Sequence, residues 1–141
     1  MRWFCLALLW IGSAPALAGP VDPPLYVEVF VAAEKSPQKL TGQLTEWDEQ
    51  TLRIVTPRGE RTLQWSQLTP SSAFVVRSRL IDRTAARDWL ELARFGFSIG
   101  AGQQARTAAA TAVRMDPSLK AEADALLAAS FASNAPGGAA R

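Results

Sequence analysis

Hydrophobic and polar positions change their period once along this chain, near Asp82. Leu25, Val27, Val29 and Val31 alternate with Tyr26, Glu28, Phe30 and Ala32, and Leu40, Gly42 and Leu44 alternate with Thr41, Gln43 and Thr45. A period of two places one set of side chains on one face of a strand. Leu52 with Ile54 and Leu63 with Trp65 continue it, and Phe74 to Val76 supplies a fifth apolar run. Ser36-Pro37, Asp48-Glu49-Gln50, Pro57-Arg58-Gly59 and Pro70-Ser71-Ser72 separate the runs with turn formers. In Pro57-Arg58-Gly59-Glu60 proline presets one dihedral and glycine tolerates positive φ, so residues 51–55 are expected to pair with 61–65 as a hairpin. Five short strands cannot hide an apolar face as a flat sheet, and bending into a half-open barrel solves that problem.

After Asp82 the period becomes helical. Asp82 or Thr84 is placed to cap a helix running to about Ile99, Gly100 and Gly102 interrupt it, and residues 103–115 form a second helix. Asp116 then caps a third, with Pro117 in its first turn, running to about Ala129. The expected architecture is α+β: a small five-stranded antiparallel barrel-like sheet followed by a helical hairpin plus a third helix. Its segments are a signal peptide at 1–18, a Pro-rich extended spacer at 19–24, a barrel-like module at 25–81, a helical module at 82–129 and a disordered tail at 130–141.

The first segment has the signature of an export leader. Arg2 precedes an apolar run from Trp3 to Ile11, and Ala16-Leu17-Ala18 presents the small residues a signal peptidase reads, so cleavage is expected between Ala18 and Gly19. The run is about half the length of a spanning helix, and no other stretch is long enough to cross a bilayer. These features predict an exported protein, periplasmic or extracellular, with no stable membrane span after cleavage.

Composition then limits the chemistry. The chain has 141 residues, no histidine and a single cysteine, Cys5, which lies in the leader. Nucleophile–base pairs of the usual kinds, thiol chemistry and N/S zinc sites are therefore excluded from the mature chain, and no cofactor motif appears. Disulfides cannot staple it, so packing around Trp47, Trp65 and Trp89 must hold it together. Of 15 basic residues against 13 acidic ones only Arg2 lies in the leader. The near-neutral balance that remains argues against a nucleic-acid partner.

Three groups of residues invite functional readings. Glu46, Asp48 and Glu49 sit on an expected hairpin turn, as a solvated turn or as the acids of a hydrolase working with carboxylates alone; no second cluster opposes them. Arg77, Arg79, Arg83, Arg87 and Arg94 form the densest basic run. Arg83, Arg87 and Arg94 are expected on one helix face, either as a solvated face with an Arg87–Glu91 pair or as a contact for an acidic partner or phospholipid head group. Trp47 follows the parity of Thr41, Gln43 and Thr45, which favours the outer face, as a hairpin-edge aromatic packed on its neighbour or as a ligand-stacking ring, while Trp65 shares the parity of Leu63, which favours the core. Trp89 is expected to join helices to barrel.

In the helical half, Trp89, Leu92, Ala105, Ala112 and Pro117 stand at the spacing of the tetratricopeptide repeat, and this half resembles one such 34-residue helix-turn-helix unit. Ala93 stands where glycine is usual, and Gly96 and Ala109 replace aromatics, with Phe95 and Phe97 adjacent to the first of them. In the strand half, Gly42-Gln43-Leu44-Thr45-Glu46-Trp47-Asp48 followed by Thr51-Leu52-Arg53-Ile54 resembles the second and third strands of Sm-like or SH3-like barrels, with Gly42 allowing a strong bend. A barrel followed by helices is also similar to small uncharacterised exported bacterial proteins of the planctomycete type. That resemblance implies an envelope location and no activity.

The functional expectation is a non-catalytic envelope protein mediating protein–protein contacts, with Trp47, Phe95, Arg79, Arg83, Arg87 and Arg94 as its candidate surface. The alternative is a barrel that binds a cell-wall glycan or peptide. Self-association is a further way for a single repeat-like unit to complete its surface.

Overall fold

The computed structural model describes residues 19–133, so the leader, the Ala18 side of its cleavage point and residues 134–141 lie outside the described residues. Over the described residues the architecture is mixed α+β: four strands in one antiparallel sheet, followed by four α-helices. The strands β1 (Gly19–Val31), β2 (Gln38–Trp47), β3 (Thr51–Thr56) and β4 (Gly59–Gln64) lie in the order β1-β2-β3-β4, an open meander. The alternation read from the sequence is realised on one face, where Val27, Val29, Leu44, Leu52, Ile54 and Leu63 are buried. Gly42 is where β2 presses on β3: a Cβ there would lie 2.5 Å from the Val55 carbonyl oxygen and 2.7 Å from Ile54 Cγ2. Only glycine fits that approach.

The hairpin at Pro57 forms with Thr56 opposite Gly59 and Thr51 opposite Gln64. This register is one residue tighter than a pairing of 51–55 with 61–65, because Trp65 leaves the sheet to begin a 3-10 turn, Trp65–Gln67. Gly59 has φ +121°, the positive value expected of the turn glycine.

No fifth strand forms among the described residues. Phe74 to Val76 lies inside α1 (Pro70–Leu80), and the sheet continues past β4 only as an isolated bridge between Val31 and Leu68. Thr69 caps α1, its hydroxyl accepting from the Ser72 amide, and Pro70 occupies the first turn. A cap residue followed by proline is a helix start, and Thr69-Pro70 carried that signal within a stretch that reads as a turn. Ala73 and Val76 pack on the sheet and Phe74 on the helices behind it, while Val75 between them faces outward, 52% exposed. An apolar residue on the exposed side, Val75, interrupts the polar stripe of Ser71, Ser78 and Arg79 that marks a helix.

Helix α1 also covers the outer edge of β1. The Phe30 amide donates to Ser72 Oγ at 2.9 Å, the Thr69 amide donates to the Phe30 carbonyl at 2.8 Å, and Arg79 Nη1 donates to the Tyr26 carbonyl at 2.9 Å. An edge strand left open would invite pairing with another chain, and here the closure comes from a helix rather than from a barrel seam.

The expected spacer is part of β1. Gly19 pairs with Trp47 and Pro20 with Glu46, and the register then shifts before Leu25 resumes opposite Leu44. Proline cannot donate to a ladder, and an edge strand with an irregularity is where it is tolerated.

The helical half forms α2 (Ala86–Ser98), α3 (Gly102–Met115) and α4 (Lys120–Ser133), with a 3-10 turn, Pro117–Leu119, before the last. Asp82 does not cap α2; its Oδ1 accepts from the Thr84 amide and hydroxyl in the preceding turn. Asp116 does cap, accepting from the Ser118 amide at 3.0 Å, but the element it caps is the 3-10 turn that leads into α4. Helix α4 extends to Ser133, four residues into the stretch read as a disordered tail. Ala105, Ala108, Ala109 and Ala112 are buried between α2 and α3 with Leu90, Leu92 and Ala93. Gly96 marks the tightest point of the helical half, since a Cβ there would lie 2.8 Å from Ala105 Cβ and 2.9 Å from Phe74 Cε2. The ring of Phe74 from α1 fills the space beside Gly96.

Candidate functional site

Two features stand out from the ordinary surface: a buried arginine among aromatic rings where sheet and helices meet, and an uncovered groove between α3 and α4.

The arginine is Arg77, on the inner side of α1 and only 8% exposed. Its guanidinium carbon lies 4.2 Å from the centroid of the Trp47 ring, 5.0 Å from that of Phe95 and 5.4 Å from that of Trp65. Trp65 is edge-on to both Trp47 and Phe95, at 6.5 and 5.4 Å between centroids. The Trp65 indole N–H donates to the Asp48 carbonyl at 2.8 Å, which ties the β2–β3 turn to the cluster. Burial pushes the Arg77 pKa down, against the opposing pull of Glu49, Asp48 and Glu91. Its Nη1 is buried without a hydrogen-bond partner among the described residues. The rings supply what hydrogen bonds do not, since an aromatic face attracts a cation. Phe95, with Trp65, joins helices to sheet; Trp89, expected in that place, packs within the helical cluster and donates its indole N–H to the Arg83 carbonyl.

A cleft of about 240 Å³ opens beside Arg77 between the β2–β3 turn and α2, and Glu49, Glu91 and Arg94 share its walls. Sequence spacing did not bring Glu49 and Glu91 together, because they lie on a turn of the sheet and on α2. The cleft is balanced in charge, two carboxylates against two guanidinium groups.

The remaining acids of the turn have separate tasks. Glu46 pairs with Arg53 at 2.8 Å. Asp48 accepts from the Gln50 and Thr51 amides, both at 2.7 Å, and these bonds hold its pKa below the usual carboxylate value. No cluster of three or more metal-ligating side chains occurs among the described residues.

The arginine run does not make one face. Arg77 is buried and Arg79 is bonded to β1, while Arg83 precedes the first residue of α2 and so cannot share its face with Arg87 and Arg94. Arg87 reaches across to Glu122 on α4 at 2.7 Å rather than to Glu91, which instead meets Arg94 at 3.8 Å. Trp47 is half-buried, with Arg77 over its ring. A polar cleft of about 330 Å³, lined by Gly19, Glu46, Thr51 and Thr62 among others, adjoins it.

The second feature lies on the far side of the helical half. Between α3 and α4 runs a groove of about 560 Å³ whose walls include Ala109, Ala110, Val113, Leu127 and Phe131. Phe131 is 60% exposed. Three cations, Arg106, Arg114 and Lys120, and one anion, Asp124, edge it. The sequence reading missed this surface because its small residues look like a helix-packing face and Phe131 fell in the supposed tail. No helix of the described residues is long and apolar enough to cross a membrane. No protein-family model, no curated protein and no solved structure matches the chain.

Proposed function

We propose that this protein is exported to the cell envelope and acts there without catalysis, as a domain that mediates protein–protein contacts through the groove between α3 and α4. The observation that carries the reading is the apolar groove itself, with Phe131 exposed at its wall. The similarity of α2 and α3 to a tetratricopeptide hairpin supports it: helical repeats bury their apolar faces by stacking on a neighbour. With α4 in place after the hairpin, the α3–α4 face is the next position in such a stack, and no element of the described residues fills it. Exposed apolar surface of this kind marks interaction sites.

The test is a pull-down with mature protein from envelope extract at moderate salt, run beside an Ala110→Trp variant that fills the groove. Recovery of a stoichiometric partner by the wild type and its loss with the variant are expected. Repeated recovery of no partner, or recovery indifferent to Ala110→Trp, overturns the proposal. Mass spectrometry of the mature N-terminus checks export, with Gly19 expected as the first residue.

A further inference from the structure

We infer that the occupant of the α3–α4 groove is an acidic amphipathic helix of a partner protein. This inference rests on the reading of the groove as a contact surface and adds the chemistry of what binds there. The charges along the groove are unequal in a specific way. Asp124 is already paired with Lys120, at 2.6 Å. Arg106 and Arg114 have no ion-pair partner among the described residues. Arg106 lies over the Phe131 ring at 5.1 Å, and Arg114 Nη2 reaches the Thr111 hydroxyl at 3.4 Å. Two guanidinium groups therefore edge an apolar floor without a counter-charge, and carboxylates on an incoming partner complete them.

The shape selects a helix. The floor is made of alanine and valine positions on α3, and small residues let a second helix axis approach to about 8–10 Å. On α3 the groove is lined from Arg106 to Arg114, which at 1.5 Å per residue is about 12 Å of groove. That length takes about two turns of a helix, enough for apolar side chains at i, i+3, i+4 and i+7 with acidic residues flanking them. An extended peptide gains its affinity from a free sheet edge, and none borders this groove. A second copy is disfavoured by symmetry. An isologous contact through this groove would set Arg106 and Arg114 of one copy against the same residues of the other, and like charges face to face oppose association.

The test uses the whole mature protein and three fluorescein-labelled peptides of 18 residues, read by anisotropy. All three carry the same leucine stripe, and the other positions are mainly glutamate, glutamine or lysine. The glutamate peptide is expected to bind about tenfold more tightly than the glutamine peptide, with the gap closing as salt is raised. The exposed double variant Arg106→Glu/Arg114→Glu should reverse the order in favour of the lysine peptide, and Ala110→Trp should weaken all three. Equal binding of the glutamate and glutamine peptides would overturn the acidic partner and leave the groove reading standing. Binding of no peptide overturns the helical occupant, while the pull-down with Ala110→Trp judges the groove separately. Dimerisation in sedimentation that Ala110→Trp abolishes gives the groove to a second copy, and tighter binding to phosphatidylglycerol vesicles than to the glutamate peptide gives it to a membrane; either result overturns the inference.

Discussion

The guanidinium of Arg77 lies 4.2 Å from the centroid of the Trp47 indole, inside the protein. This contact joins α1 to the end of β2, and Phe95 and Trp65 extend it to α2 and to the 3-10 turn. A charge buried this far costs free energy unless it is compensated. Here three aromatic rings provide the compensation together with the surrounding carboxylates.

Replacement of Arg77 therefore depends on shape more than on charge. Arg77→Lys should destabilise the protein by about 1–2 kcal/mol, because an ammonium keeps the buried charge and loses the flat stacking surface. Arg77→Met should lie closer to wild type, since it removes the charge and retains the volume. Urea unfolding of the two variants checks the order, and a lysine variant more stable than the methionine variant contradicts it.

Gly96 and Gly102 form a matched pair. Alanine is a better helix former than glycine by about 1 kcal/mol, and Gly102→Ala, with nothing within 4 Å of the new Cβ, should be neutral or stabilising. At Gly96 the new Cβ would press on Ala105 and Phe74. Overpacking outweighs propensity there, and Gly96→Ala should lose about 1–3 kcal/mol. Thermal melts of both variants read the contrast.

Ser72 accepts the Phe30 amide on the outer edge of β1. Ser72→Ala leaves that amide without its partner at a cost of about 1–3 kcal/mol. It also loosens the helix from an edge strand, so faster hydrogen exchange at Phe30 and greater aggregation on mild heating are expected. Unchanged exchange at Phe30 would show that the bond does not hold the edge.

The pH dependence of stability should lie on the acid side. Asp48, Asp82 and Asp116 each accept bonds from residues two or three positions ahead, and these hold their pKa values below the ordinary carboxylate value. A carboxyl whose pKa is depressed on folding adds stability above its unfolded pKa and loses it as pH falls through the folded value. Melting temperature should be flat near neutral pH and fall below about pH 4. In the triple variant Asp48→Asn/Asp82→Asn/Asp116→Asn the acid slope should be shallower.

The sequence by itself determined what depends on neighbours along the chain. Alternation over residues 25–31 and 40–45, the glycine at the Pro57 turn, the break at Gly100 and the cap at Asp116 act within a few residues, and each predicted its element. At Gly42 the sequence suggested a bend within one strand, whereas the need for glycine comes from Ile54 and Val55 on the neighbouring strand. Tertiary structure decided whatever depends on two surfaces at once. Phe74 to Val76 reads as a strand because helices take Phe74, the sheet takes Val76, and Val75 on the exposed side between them is apolar too. Arg77 reads as one more surface charge until Trp47, Trp65 and Phe95 close around it from three elements. Arg87 chooses Glu122 over its neighbour Glu91 because α4 passes within reach. The groove beside α3 follows the same logic, since its floor is an ordinary alanine face and only the placement of α4 leaves that face open between two arginines that have no ion-pair partner among the described residues.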